Sequence, residues 1–94
     1  MKIGKFRHKG LKRLYADDDP SGLPAPSVRR ITNILAALEF AADLAQVETM
    51  PGWRLHPLKG ERKGEYAISV TGNWRITFRV DEGTVTGLDF EDYH

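Results

Sequence analysis

Residues 66–80, Tyr66-Ala67-Ile68-Ser69-Val70-Thr71-Gly72-Asn73-Trp74-Arg75-Ile76-Thr77-Phe78-Arg79-Val80, decide the fold, because their apolar residues recur at every second position on either side of a turn. Tyr66, Ile68 and Val70 share one face of the first run; Trp74, Ile76, Phe78 and Val80 share one face of the second. A hairpin must oppose like faces. A three-residue loop, Thr71-Gly72-Asn73, does so, setting Val70 opposite Trp74, Ile68 opposite Ile76 and Tyr66 opposite Phe78. Read the same way, Asp81-Glu82-Gly83 is a second three-residue loop that opposes Trp74 to Phe90 and Ile76 to Leu88. This predicts three antiparallel strands with one apolar face.

The other face is polar. It sets Glu65 against Arg79 and Ser69 against Arg75, with Asp89 on the far side of Arg75. Upstream, Trp53 and Leu55 alternate with Arg54 and His56, so if the first pair joins the core the second points the same way as Arg75. Pro57 holds His56 extended and marks a strand end or an edge. The register places both Trp53 and Trp74 on the apolar face, which reads them as core.

The first half has helical spacing. Leu11, Leu14 and Tyr15 give a helix over His8–Ala16, after a short candidate strand at Ile3–Phe6. Asp17-Asp18-Asp19-Pro20-Ser21-Gly22 breaks the chain, and Pro24 and Pro26 precede a long helix. In that helix Val28, Ile31, Leu35, Leu38 and Ala42 form a stripe, widened by Ile34 and Ala41, and Met50-Pro51-Gly52 closes the helical half. At 94 residues this describes one α+β domain over 1–94, helices on a mainly antiparallel sheet.

Composition narrows the class. Hydrophobic residues make up 40%, enough for a core and against disorder. No cysteine is present, which removes disulfides and thiolate metal sites and fits a reducing compartment. No apolar run approaches a membrane span or a signal peptide core, so the expected location is the cytoplasm, with no membrane partner. The net charge of +1 conceals three blocks. Lys2, Lys5, Arg7, Lys9, Lys12 and Arg13 precede any acid; Arg54, Lys59, Arg62 and Lys63 form a second basic group; Asp81, Glu82, Asp89, Glu91 and Asp92 are acidic. The basic blocks read either as a phosphate-attracting surface or as solvated faces paired with the acids.

Candidate chemistry lies in two places. Asp92, Tyr93 and His94 put a carboxylate, a phenol and an imidazole together, and Leu55-His56-Pro57-Leu58-Lys59-Gly60 offers an imidazole with a cation three residues on. Each has a plainer reading: His56 as a turn histidine, Lys59 as a loop lysine, Arg75 paired with Asp89, Arg79 paired with Glu65, and Tyr93 covering the sheet end. His8 and His94 are too isolated from other ligand types to form a metal site.

With Leu55-His56-Pro57-Leu58-Lys59-Gly60, Asn73-Trp74-Arg75-Ile76-Thr77-Phe78 and Glu91-Asp92-Tyr93-His94 in order, the chain resembles the HigB toxins. Phe6-Arg7-His8-Lys9-Gly10-Leu11-Lys12 and Ser21-Gly22-Leu23-Pro24-Ala25 extend the similarity along its length. The resemblance implies the RelE/ParE-like fold of a type II toxin-antitoxin system and a ribosome-dependent mRNA endonuclease. It carries the active-site pattern onto His56, Lys59, Arg75, Asp92, Tyr93 and His94, with no metal and no cofactor. Lys59 and Arg75 would then stabilise the phosphate in the transition state while the others handle protons. Asp92 or His94 is the favoured base and Tyr93 an orienting group, since an unperturbed phenol with a pKa of about 10 is a poor base. Lys9, Lys12, Arg13, Arg54, Arg62 and Lys63 would hold ribosomal RNA.

The partners expected on this resemblance are a HigA-like helix-turn-helix antitoxin, the ribosome and mRNA. The toxin alone would be a monomer and the antitoxin complex a larger assembly. The resemblance also leaves open a ParE-like module that inhibits gyrase without cutting, and a weakly toxic relative.

Overall fold

In the computed structural model the described residues are 1–92. Their elements are β1 (Lys2–Ile3), α1 (Lys9–Asp17), α2 (Val28–Phe40), α3 (Leu44–Glu48), β2 (His56–Pro57), β3 (Glu65–Thr71), β4 (Trp74–Asp81) and β5 (Thr84–Asp92), with 3₁₀ turns at Ala25–Ser27 and Gly60–Arg62. The sheet order is β1-β5-β4-β3-β2, parallel between β1 and β5 and antiparallel elsewhere. The α+β architecture is the one expected.

The helices cover one face of this sheet. Leu11, Ile31, Ile34 and Leu38 meet Ile68, Ile76, Phe78, Val85 and Leu88 in a continuous core. Burying these side chains is the main stabilising term, at roughly 1.5–3 kcal/mol for each large aliphatic or aromatic group. None of the described helices is long and apolar enough to cross a membrane.

Local chemistry sets the helix ends. His8 caps α1, its Nδ1 accepting hydrogen bonds from the Gly10 and Leu11 amides at 3.0 and 3.3 Å. Gly10 lies so close to the following loop that a Cβ there would come within 2.5 Å of the Gly22 carbonyl oxygen, which explains two small residues in separate blocks. The helical half that closes at Met50-Pro51-Gly52 holds a separate short helix, α3, after the long α2. Ala41 leaves α2 in an extended conformation, and Asp43 caps α3 by accepting from the Gln46 amide. Gln46 in turn accepts from the Ala42 amide, so the break is stabilised on both sides.

The strand register departs from the expected one in an informative way. Ile68 faces Ile76 and Tyr66 faces Phe78 as read, but the loop is the two-residue Gly72-Asn73, and Val70 is an extra residue opposite the Ser69–Thr71 step. Bulge and shorter loop cancel. In the next hairpin they add. The loop is Glu82-Gly83, and an additional residue at Gly87-Leu88 shifts β5 again, so Ile76 faces Phe90 rather than Leu88, and Trp74 faces Asp92 rather than Phe90. Gly87 has φ +64°, a left-handed conformation that a side chain would strain. Arg75 therefore faces Glu91, and Asp89 faces Thr77, which removes the expected Arg75–Asp89 pair across the ladder.

Candidate active site

Opposite the helical layer, the sheet carries Glu65, Ala67 and Ser69 from β3, Arg75, Thr77 and Arg79 from β4, and Asp89 and Glu91 from β5. At one end of this face lies a cleft of ≈ 280 Å³ lined by Arg54, His56, Ser69, Gly72, Asn73, Trp74 and Arg75. The segment entering it is held to the sheet by backbone bonds: the Ser69 amide donates to the Trp53 carbonyl at 2.8 Å, and His56 pairs with Ala67. Arg30 reinforces this from α2, donating from Nε to the Ser69 carbonyl and from Nη2 to the Gly52 carbonyl.

Within the cleft the His56 tautomer follows from its partner. Nδ1 lies 2.8 Å from the Arg54 carbonyl oxygen, which only accepts, so Nδ1 carries the proton. In the neutral imidazole, Nε2 is then the lone-pair nitrogen available for proton transfer. Arg54 adopts φ +55°, a left-handed conformation unusual for a residue with a long side chain. Strained non-glycine residues concentrate at functional sites. The cleft thus gathers two guanidinium groups and an imidazole, a set suited to a phosphodiester.

Several expectations change here. Trp53 is buried as read, but Trp74 is not core: it is 37% exposed, stacks on Phe90 with ring centroids 4.6 Å apart, and lines the cleft. The two-residue turn ends at Trp74, so this ring sits at the sheet margin. Asp92 is exposed and paired in the ladder with Trp74, but it is not among the residues that line the cleft. Lys59 lines a separate groove with Pro57, Leu58, Gly60, Lys63, Gly64, Glu65 and Tyr66, not the His56–Arg75 cleft. Tyr93 and His94 lie outside the described residues. Lys9, Lys12 and Arg13 are exposed on α1, which packs in the helical layer, so they do not join Arg54 at the cleft.

Arg62, read as an RNA contact, is engaged within the protein. Its Nε and Nη2 donate to Glu65 at 3.1 and 3.0 Å, and its Nη1 and Nη2 donate to Glu91 at 2.7 and 2.5 Å. Thr77 Oγ1, fully buried, also donates to Glu91 Oε2. The Arg62 hydrogen bonds hold the Glu91 carboxyl down at about 2 despite partial desolvation; the Thr77 hydroxyl and the Arg75 charge add to this. The same guanidinium lowers Glu65. Arg62 also displaces Arg79 as the hydrogen-bonding partner of Glu65, and Arg79 is exposed in another groove with Lys5 and Arg7.

Comparison with known proteins identifies the family of this chain. The sequence profile described as "RelE-like toxin of type II toxin-antitoxin system HigB" matches residues 4–94. This chain belongs to the HigB-like toxin family. It is 44% identical over 92 residues to Endoribonuclease HigB of Proteus vulgaris, covering 98% of this chain and 99% of that protein. The HigB-like fold extends to distant structures. A YoeB/ParE toxin from Agrobacterium tumefaciens superposes with a TM-score of 0.57 at 18% identity, over 97% of this chain and 99% of that one. The YoeB-YefM complex from Staphylococcus aureus gives 0.58 at 16% identity, over 100% and 97% respectively. Sequence reasoning set Ser69 opposite Arg75 but read Trp74 as core and Asn73 only as a loop residue; the Gly72-Asn73 dipeptide, a two-residue turn signal, could have moved Trp74 out of the core.

Proposed function

We propose that this chain is the endoribonuclease toxin of a type II toxin-antitoxin pair, cutting mRNA in the decoding site of the ribosome without a metal or cofactor. The convergence of Arg54, His56 and Arg75 on one cleft carries this reading. A ribose 2′-hydroxyl gives up its proton, its oxygen bonds to the adjacent phosphorus, and the bond to the 5′-oxygen breaks as that oxygen takes a proton. Arg75 and Arg54 neutralise the extra charge on the phosphorane-like transition state, with Lys59 approaching from the neighbouring groove. His56 Nε2 shares the proton work with Asp92 and His94, the favoured bases being the latter two, and Tyr93 orients the nucleotide. Trp74 offers a surface on which a base stacks.

The ribosome supplies alignment that a cleft of this size does not. Arg54, Lys63, Lys9, Lys12 and Arg13 contribute cationic contacts to RNA, the last three from the helical side. A HigA-like helix-turn-helix antitoxin neutralises the toxin in the cytoplasm, and the free toxin is a monomer.

The test adds purified chain to translating ribosomes and to the same message alone. Expected are cleavage on the ribosome only, products with 2′,3′-cyclic phosphate and 5′-hydroxyl ends, and activity that survives chelation once ribosome integrity is controlled. Substitutions His56→Ala and Arg75→Ala should each lower the rate by on the order of 10² or more. Equal cutting of naked RNA, a 5′-phosphate product, or gyrase poisoning with messages intact would overturn it.

A further inference from the structure

We infer that Arg62 is a positioning residue, clamping the turn that carries Lys59 to the end of β5 that carries Asp92, and so joining two halves of the catalytic apparatus that are far apart in sequence. This rests on the endoribonuclease reading. Arg62 ends the Gly60–Arg62 turn, whose backbone is bound to Lys59 through the Arg62 amide and the Lys59 carbonyl at 3.3 Å. From there its side chain crosses β3 and β4 to reach Glu91 on β5, one residue before Asp92.

The geometry is that of a clamp. Four charge-assisted hydrogen bonds use two edges of the planar guanidinium, the Nε/Nη2 edge to Glu65 and the Nη1/Nη2 edge to Glu91. The Thr77 hydroxyl beneath holds the same Glu91 oxygen. Glu65 is itself tied to the segment between Pro57 and Lys59, since its carbonyl accepts from the Leu58 amide at 2.8 Å. The Gly60–Arg62 turn, β3 and β5 are therefore joined by one side chain. Its removal would also leave the Glu91 carboxylate, on the same face as Arg75 and directly across the ladder from it, without its principal cationic partner. That negative charge would then compete with the scissile phosphate for Arg75.

An RNA-contact role for Arg62 makes different predictions. If Arg62 held a phosphate, Arg62→Ala would raise KM and flatten the salt dependence of ribosome binding, and Glu91→Gln would leave cleavage untouched. A clamp predicts that Arg62→Ala and Glu91→Gln each lower kcat, the former by on the order of a hundredfold, with KM unchanged. Their double mutant should cost no more than the worse single one, because both break one unit. Arg62→Lys, which keeps the charge but loses the fork, should recover only part of the rate.

The experiment measures single-turnover cleavage on programmed ribosomes and amide hydrogen exchange for wild type and these variants. Expected in Arg62→Ala is faster exchange at Glu91, Asp92, Arg62 and Lys63 while Ile68 and Ile76 stay protected, together with the kcat loss. Unchanged exchange at both segments would overturn the clamp whatever the activity. Faster exchange with full kcat would overturn its role in positioning. If wild type cleaves nothing while the exchange pattern holds, the nuclease reading fails and the clamp stands as a feature of the fold.

Discussion

At the scale of single residues, Glu91 is held ionised by Arg62 to a pH near 2, whereas in the unfolded chain it titrates near its ordinary 4.5. Between those values the unfolded chain takes up a proton that the folded one refuses, so stability falls as pH falls through this window and is fully present above it. Melting curves from pH 6 to about pH 2 should show a shallower acid decline for Glu91→Gln than for wild type. Arg79→Ala is the matching control. Arg79 is exposed, and Glu65 takes its hydrogen bonds from Arg62, so that variant should melt and cleave almost as wild type does. Site residues were legible in uneven measure. His56 and Arg54 followed from alternation with Trp53 and Leu55, and the structure sets both in the Arg75 cleft. The role of Arg62 was not legible, because its partners Glu65 and Glu91 are three and twenty-nine positions away and only the true β5 register aligns them.

Among the elements, β5 shows where local pattern stops determining structure. Alternation fixes which side chains share a face, but a loop shortened by one residue and a bulge of one residue each shift the pairing by one. In β3–β4 the two shifts cancel, so Ile68–Ile76 was read correctly from an incorrect loop. In β4–β5 they accumulate, and Arg75 meets Glu91 instead of Asp89. Gly87 is the hinge of this difference. Gly87→Ala should cost about 1–2 kcal/mol, the penalty of a left-handed conformation for a residue with a Cβ, and should appear as a lower melting temperature. An unchanged melting point would show that the chain pairs without this bulge. The α2–α3 break was hidden for a related reason: Ala41-Ala42 suits a helix, and the stop arises from the Asp43 and Gln46 side chains.

For the whole molecule, chemistry and stability are drawn from different places. Phe78 is fully buried at the centre of the sheet, and Phe78→Ala should cost about 3–5 kcal/mol, a large share of what a domain this size has to lose. Deleting Tyr93 and His94, or changing Asp92→Asn, removes none of the buried side chains that make up the core from Leu11 to Phe90. Toxicity should vanish in all three cases, but thermal melting should fall steeply only for Phe78→Ala. A tail deletion that still cleaves at full rate would remove those residues from the proposed site.

The place of β5 in the sheet also bears on how such a toxin is made. Every other described element precedes it in the chain, yet it lies between β1 and β4 and supplies Val85, Leu88 and Phe90 to the core. While the polypeptide is still being synthesised, β1 has no neighbour to pair with, β4 has an open edge, and Glu91 is not yet there to meet Arg62. Until then β1 stays apart from the β4-β3-β2 sheet. The sheet, and with it the Arg62–Glu91 contact, closes only once β5 has been made.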